Sequence, residues 1–337
     1  MLPPRLIRRL VLAPLVVVIA VAMALLVPLA ALLELTLRLV GLSRPGHARA
    51  RRLLWFALVW VTADTVALFM CLGLWLASGL GGRLRTEPFQ ARHYAVMRWF
   101  LAVVYRGGTR TFRLRVEVTE PELTPAEQAA RLARPVIVLS RHAGPGDSFL
   151  LVHQLLSVYG RRPRVVMKAT LQLDPGLDVV ANRVPNVFIS PRRVGEGVFV
   201  EQIARWRRGV ERLEGLGRPD LAARARDMPN LLPPRSGGVL AALTACPDAD
   251  VIFVAHAGLD RLVSVADVWR SLPMDQLIRA RWWRVPANEV PRATDHEHQL
   301  QWLYEWWERI DVWISENHPD GPPAPVPAPT DAAAGPA

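Results

Sequence analysis

Residues Val136–Leu151 read VIVLSRHAGPGDSFLL, and this stretch decides the fold. Val136–Leu139 is a short β-branched run of the kind that makes a buried strand, Gly144-Pro145-Gly146 breaks it, and an apolar helical pattern starts at Ser148. A strand that turns straight into a helix is the opening of a crossover, which parallel neighbours require. Outward from it, runs at Arg164–Met167, Val187–Ser190 and Val251–Ala255 predict further strands beside the one at Pro135–Ser140. Helices are predicted between them at Ser148–Tyr159, Gly197–Leu213 and Ser236–Ala245. This alternation predicts an α/β fold with a mainly parallel, buried sheet. Upstream, Thr111–Thr119 alternates Phe112, Leu114, Val116 and Val118 with Arg113, Arg115 and Glu117, the pattern of a half-buried strand. Downstream, Gln299–Ile314 spaces Leu303, Trp307, Ile310 and Ile314 on one helical face with Trp302, Trp306 and Trp313 close by. Core packing is the default reading of that helix, and an interfacial aromatic anchor the sharper one.

The N-terminal part has a different character. No charge occurs from Leu10 to Leu33, and at helical rise these 24 residues cover the hydrocarbon thickness of a bilayer. A second apolar run, Leu53–Leu80, carries only Asp64 as a charge and leaves through Gly79, Gly81 and Gly82. A cleaved signal is disfavoured, because the first apolar run is longer than a signal core and a second follows. Arginines flank every end (Arg5, Arg8 and Arg9; Arg38, Arg44, Arg49, Arg51 and Arg52; Arg83 and Arg85), so the positive-inside rule does not orient the pair. A two-span hairpin and a re-entrant pair held in one leaflet both fit, and both leave the remainder cytoplasmic at the cell membrane. Asp64 reads as a structural carboxylate facing the partner helix or water beside Thr62 and Thr65. Phe89–Tyr105 follows as a basic, aromatic helix that fits either the membrane surface or the domain core. The expected organisation is membrane helices at 1–86, an α/β domain at 87–315 and a Pro/Ala-rich disordered tail at 316–337.

Composition narrows the partners. The formal net charge is +11 over 337 residues, which asks for an anionic partner. With 51% hydrophobic residues that partner is membrane lipid or a phosphorylated substrate and not nucleic acid, for which no reader motif is present. Lys168 is the only lysine, so the positive charge is almost wholly arginine. Two cysteines, Cys71 and Cys246, supply neither a disulfide framework nor a zinc cluster, and no metal is expected.

The chemistry-bearing residues sit in the opening stretch. His142 follows the strand and Asp147 stands five residues on, across the Gly-Pro-Gly turn; none of the other seven histidines has an Asp at that spacing. Ligand and catalytic groups collect at the carboxyl ends of strands in such folds. A turn that folds back brings the carboxylate towards the imidazole, where it fixes the tautomer and favours the imidazolium formed when His142 takes a proton. The bland alternative is an N-capping Asp147 beside an ordinary loop histidine.

In these residues the chain resembles the lysophosphatidic acid acyltransferase, or PlsC, family, whose hallmark is His, four residues, then Asp. The resemblance implies a PlsC-like glycerolipid acyltransferase fold in which His142 deprotonates the free hydroxyl of a lysophospholipid acceptor, with Asp147 in support. The hydroxyl then attacks the thioester of an acyl donor, acyl-CoA or acyl carrier protein, as co-substrate and without a cofactor. Val166-Met-Lys168-Ala-Thr-Leu171 is similar to the family's Lys-x-Glu-Leu stretch, with Thr170 in place of the acid. Val187-Phe-Ile-Ser-Pro-Arg192-Arg193 is similar to its phosphate-holding block, shifted by Pro191. Leu231-Leu-Pro-Pro-Arg235-Ser-Gly-Gly238 and Val251-Ile-Phe-Val-Ala-His-Ala-Gly258 look like the turn and final strand that follow. Lys168, Arg192, Arg193 and Arg235 are therefore the substrate-binding candidates, and the backbone amides of Gly144 and Gly146 the candidates for the oxyanion. The family's Glu-Gly-Thr-Arg block has no counterpart; Gln202–Asp227 is an arginine-rich helical stretch instead. A catalytically impaired relative that binds lipid or acts as a scaffold is the other function the sequence allows.

Overall fold

The computed structural model describes residues 2–42, 45–120, 124, 134–141, 145–189, 208–259, 269–292 and 294–319. In chain order the elements are α1 (Arg5–Leu39), α2 (Pro45–Ala77), α3 (Glu87–Phe112), β1 (Arg115–Thr119), β2 (Val136–Ser140), α4 (Pro145–Ser157), β3 (Val166–Lys168), α5 (Pro175–Ala181), β4 (Val187–Ile189), α6 (Pro219–Arg226), α7 (Ser236–Ala245), β5 (Asp250–Ala257), β6 (Leu277–Val285) and α8 (His296–Asn317). Residues 208–215 are also helical. The chain is mixed α/β with a mainly parallel sheet, and it divides into two compact units. One comprises Met1–Leu114, Gly144–Val194 and Val265–Asp275, and the other Arg115–Ala143, Gly195–Ser264 and Gln276–Ala337. The boundaries fall elsewhere than at residue 86, because α2 shares a core with α3, α4 and α5.

In this helical unit α1 and α2 are each long and apolar enough to cross a membrane. From Ala13 onwards the buried positions of α1 are Ala20, Val27 and Glu34, seven residues apart, so one narrow seam meets α2 and most of its remaining apolar surface is exposed. Glu34 closes the hairpin, pairing with Arg38 at 2.5 Å and with Arg51 of α2 at 2.8 Å. On α2 one face, Ala63, Asp64, Ala67 and Cys71, is buried, while Trp55, Phe69, Met70, Leu72 and Leu76 stay exposed. A helix with one protein-covered face and one bare apolar face points to membrane association. The covering comes from α3, whose Tyr94, Met97, Phe100, Leu101 and Val104 share the core with α2, and from Val180 of α5. Asp64 does not face water: it is 1% exposed and lies against Gly176 in the first turn of α5. A Cβ at Gly176 would stand 1.8 Å from Asp64 Oδ1, which only glycine avoids. Gly176→Ala is therefore expected to cost about 1–3 kcal/mol through overpacking, seen as a lower unfolding temperature of the full chain in detergent; an unchanged temperature would mean α5 shifts freely.

Two histidines in this unit set its response to acid. His93 is fully buried; with Phe89 O 2.7 Å from Nδ1 and the Arg183 guanidinium 3.5 Å from Nε2, the ring donates from Nδ1 and accepts at Nε2. Burial, opposed by the Phe89 carbonyl and aided by Arg183, pushes its pKa below the ordinary 6.5. His153 on α4 stacks on Tyr105 at 4.3 Å and is lowered by burial and by Arg106. A histidine with a depressed folded pKa binds its proton more readily when unfolded, so its contribution is present above the unfolded value and lost as pH falls through it. The unit is expected to lose stability from about pH 6.5 downwards, and His93→Gln combined with His153→Gln to flatten that slope in pH-dependent thermal unfolding.

The sheet unit holds a four-stranded sheet in the order β1-β6-β5-β2, while β3 and β4 make a separate parallel pair in the helical unit. β1 with β6 and β2 with β5 are parallel, and β5 with β6 antiparallel. β1 starts at Arg115 and not at Thr111, because α3 continues to Phe112, whose ring packs 4.8 Å from Phe56. Val116 and Val118 then take the more covered positions of β1, as the alternation predicts. β6 is a strand that the apolar pattern did not announce. The α8 stripe is core: Leu303, Ile310 and Ile314 are fully buried, and Trp302, Trp306 and Trp307 surround Phe253 of β5. Trp313 meets Trp283 of β6 edge-on, which settles the tryptophans as packing residues. The proposed tail lies almost wholly outside the described residues, and α8 runs to Asn317.

Candidate functional site

β2 and β5 run parallel, with Ser140 opposite Val254, so both chains leave the sheet at the same carboxyl edge. There Arg141, 8% exposed, follows β2, and His256 near the end of β5 is 5% exposed. His256 Nε2 lies 3.3 Å from Arg141 O, and since a carbonyl only accepts, Nε2 carries a proton and donates it. Gly258 ends β5 with φ +104, and a Cβ there would stand 2.3 Å from Leu277 O, so glycine alone lets the chain leave beneath β6.

A buried polar network ties this strand end to the segment that carries Arg235. The Arg141 Nη1 group donates to Asn230 O at 3.3 Å. Asn230 is held by α8: its backbone N–H donates to Asp311 Oδ1 at 2.8 Å, and its Nδ2 to Asp311 Oδ2 at 3.2 Å and Ser315 Oγ at 2.8 Å. Burial raises the Asp311 pKa, and the bonds from Asn230 oppose the rise. Trp307 Nε1 donates to Leu232 O at 3.1 Å, pinning the next turn, from which exposed Arg235 leads into α7.

The other sequence-predicted residues are distributed as follows. Asp147 is 5% exposed in the first turn of α4, two residues inside a helix that begins at Pro145, so it is not the N-cap; it accepts a bond from Ser148 Oγ at 3.2 Å. A carboxylate in a first turn is stabilised by the helix dipole. Gly146 precedes it in the same turn, exposed and with open space where a side chain would stand. Lys168 is exposed at the end of β3, immediately before the 3-10 turn Ala169–Leu173 that carries Thr170. Asp147, Gly146 and Lys168 belong to the helical unit and Arg235 to the sheet unit. His142, Gly144, Arg192 and Arg193 lie outside the described residues.

His256, Asn230 and Asp311 are the polar residues that sequence reasoning passed over. His256 had a signal, a lone titratable side chain inside the apolar run Val251–Ala257 next to a glycine; the pairing of Asn230 with Asp311 across 81 residues had none. Among the described residues no three His, Cys, Asp or Glu side chains converge as ligands of a metal ion. Comparison of the chain with family models, with curated proteins and with solved structures finds no match.

Proposed function

We propose that the chain is a membrane-associated acyltransferase that moves a fatty acyl group from acyl-CoA or acyl carrier protein to the free hydroxyl of a lysophospholipid, with 1-acyl-glycerol-3-phosphate as the leading acceptor. The observation that carries this reading is Asp147: a buried carboxylate in the first turn of the helix that follows β2, five residues after His142 in sequence. In the proposed reaction His142 takes the hydroxyl proton, the oxygen attacks the thioester carbon, and the tetrahedral oxyanion meets backbone amides at the Gly144–Gly146 turn. The C–S bond then breaks, and the thiolate leaves with the proton returned from His142. Lys168, Arg192, Arg193 and Arg235 supply candidates to neutralise the acceptor's phosphate. The bare apolar surface of α1 and α2 keeps the enzyme at its lipid, on the cytoplasmic face of the cell membrane in this reading.

The second reading, a lipid-binding or scaffolding relative without activity, has its own support. Among the described residues 208–249 there are helices and turns and no strand, as the missing Glu-Gly-Thr-Arg block implies. Membranes containing the full chain, a labelled acyl donor and a panel of lysolipids, with products analysed by mass, separate the two. A new diacyl product that depends on the chain supports the enzyme; lysolipid retention with no product from either donor supports the binding protein.

A further inference from the structure

The first turns of α1 are not a free membrane flank. Arg8 is 8% exposed and donates from Nη2 to Gln172 Oε1 at 2.6 Å and to Asp178 Oδ1 at 3.0 Å, so the N-terminal turn is bolted to α5 and the turn before it. Arg9 approaches the other oxygen of the same carboxylate at 3.6 Å. Arg5 and Arg183 stand within electrostatic reach of Arg9 and of each other. Two guanidiniums thus meet one carboxylate, and Arg5 and Arg183 add to the positive field around Arg9.

The remaining acids nearby do not correct that imbalance. Asp174 gives one oxygen to Leu177 N–H and the other to Trp60 Nε1, and Asp64 interacts with Asp174. His93 accepts from Arg183 and contributes no negative charge. Arg8 Nε and Arg9 Nη2 are enclosed without a hydrogen-bond acceptor, and Arg9 Nε meets Asp178 Oδ2 only at 3.6 Å, a costly arrangement for charged donors unless an anion outside them balances the charge. Room for one exists on the outer side, where Arg5 is exposed and the Arg9 side chain keeps 26% of its surface open.

The position of the cluster fits a particular anion. Between and immediately beyond these arginines α1 exposes Leu6, Leu10 and Val11 at 72%, 71% and 54%, so the cationic group marks the edge of the apolar surface, where phosphate groups lie in a bilayer. We infer that Arg5, Arg9 and Arg183 form a binding site for a phosphate group, carried by an anionic phospholipid or free, that completes the charge balance around Asp178 at the start of α1. The inference does not depend on the acyltransferase reading.

The test uses the full chain in nonionic detergent, with unfolding temperature followed during titration of phosphatidylglycerol, phosphatidylcholine or inorganic phosphate. Phosphatidylglycerol is expected to stabilise saturably. At roughly fivefold per arginine, Arg5→Gln should shift the midpoint about fivefold and Arg5→Gln with Arg9→Gln about twenty-fivefold. Arg5 is exposed, so its single variant keeps the test informative if the double variant folds poorly. Saturable stabilisation by inorganic phosphate alone, lost in the same variants, supports the site and assigns it to a soluble phosphate. Equal stabilisation by phosphatidylcholine, no saturable effect of any probe, or an equal shift in the charge-matched Arg98→Gln/Arg110→Gln control overturns it.

Discussion

Replacing His142 by alanine is expected to lower acyl transfer to lysophosphatidic acid by about 10²–10⁴-fold, the usual contribution of a general base, at unchanged expression. The expectation rests on the proposed reaction: an acceptor hydroxyl is a poor nucleophile until its proton is taken, and the other arginine-rich candidates offer no base at neutral pH. Asp147→Asn is the companion variant. It keeps the shape of a buried side chain in the first turn of α4 but removes the charge that would favour the imidazolium, so kcat/KM should fall with little change in unfolding temperature. Turnover in His142→Ala membranes equal to the unmodified chain would rule out the mechanism in which His142 is the base.

The second large effect belongs to the sheet. Asp250, fully buried at the start of β5, accepts from Arg284 of β6 at 2.9 and 2.6 Å on one oxygen and from the backbone of Ala287 at 3.0 Å on the other. Arg134, before β2, approaches the same carboxylate at 3.7 Å. One side chain therefore joins β2, β5 and β6 at a single end. Asp250→Ala leaves the Arg284 guanidinium, whose side chain is 17% exposed, without its counter-charge; the expected cost is about 3 kcal/mol, or roughly 10 °C in unfolding temperature for a unit of this size. Asp250→Asn should lose less, since its amide oxygen still accepts from Ala287. Wild-type unfolding in both variants would show that the pair is incidental.

That ion pair also explains the strand that pattern reading did not find. Leu277–Val285 reads LIRARWWRV, and Arg279, Arg281 and Arg284 interrupt the apolar run that marks a buried strand. Arg284 is tolerated because Asp250 meets it, and Arg279 because it donates to Asn317 O at 3.3 Å, partners 34 and 38 residues away. Local alternation carries no trace of either. The same limit applies to Asp64: its neighbours along α2 suggested a polar residue facing α1 or water, whereas its actual contact, Gly176, lies more than a hundred residues downstream. By contrast α7 falls on Ser236–Ala245 as read, and the strands at Val136, Val166, Val187 and Asp250 fall within two residues of their expected starts, because burial of short β-branched runs is written locally.

The amino-acid sequence by itself determined the α/β alternation, the two long apolar helices and the histidine and aspartate five residues apart, since periodicity, hydropathy and spacing are properties of neighbouring residues. Tertiary structure alone decided that β6 sits between β1 and β5, that α2 presents one face to α3 and α5 while leaving the other bare, and that Arg8 is locked to Asp178. Each of these depends on a charge or a close approach being compensated by a residue far along the chain, and such compensation exists only once the chain has folded.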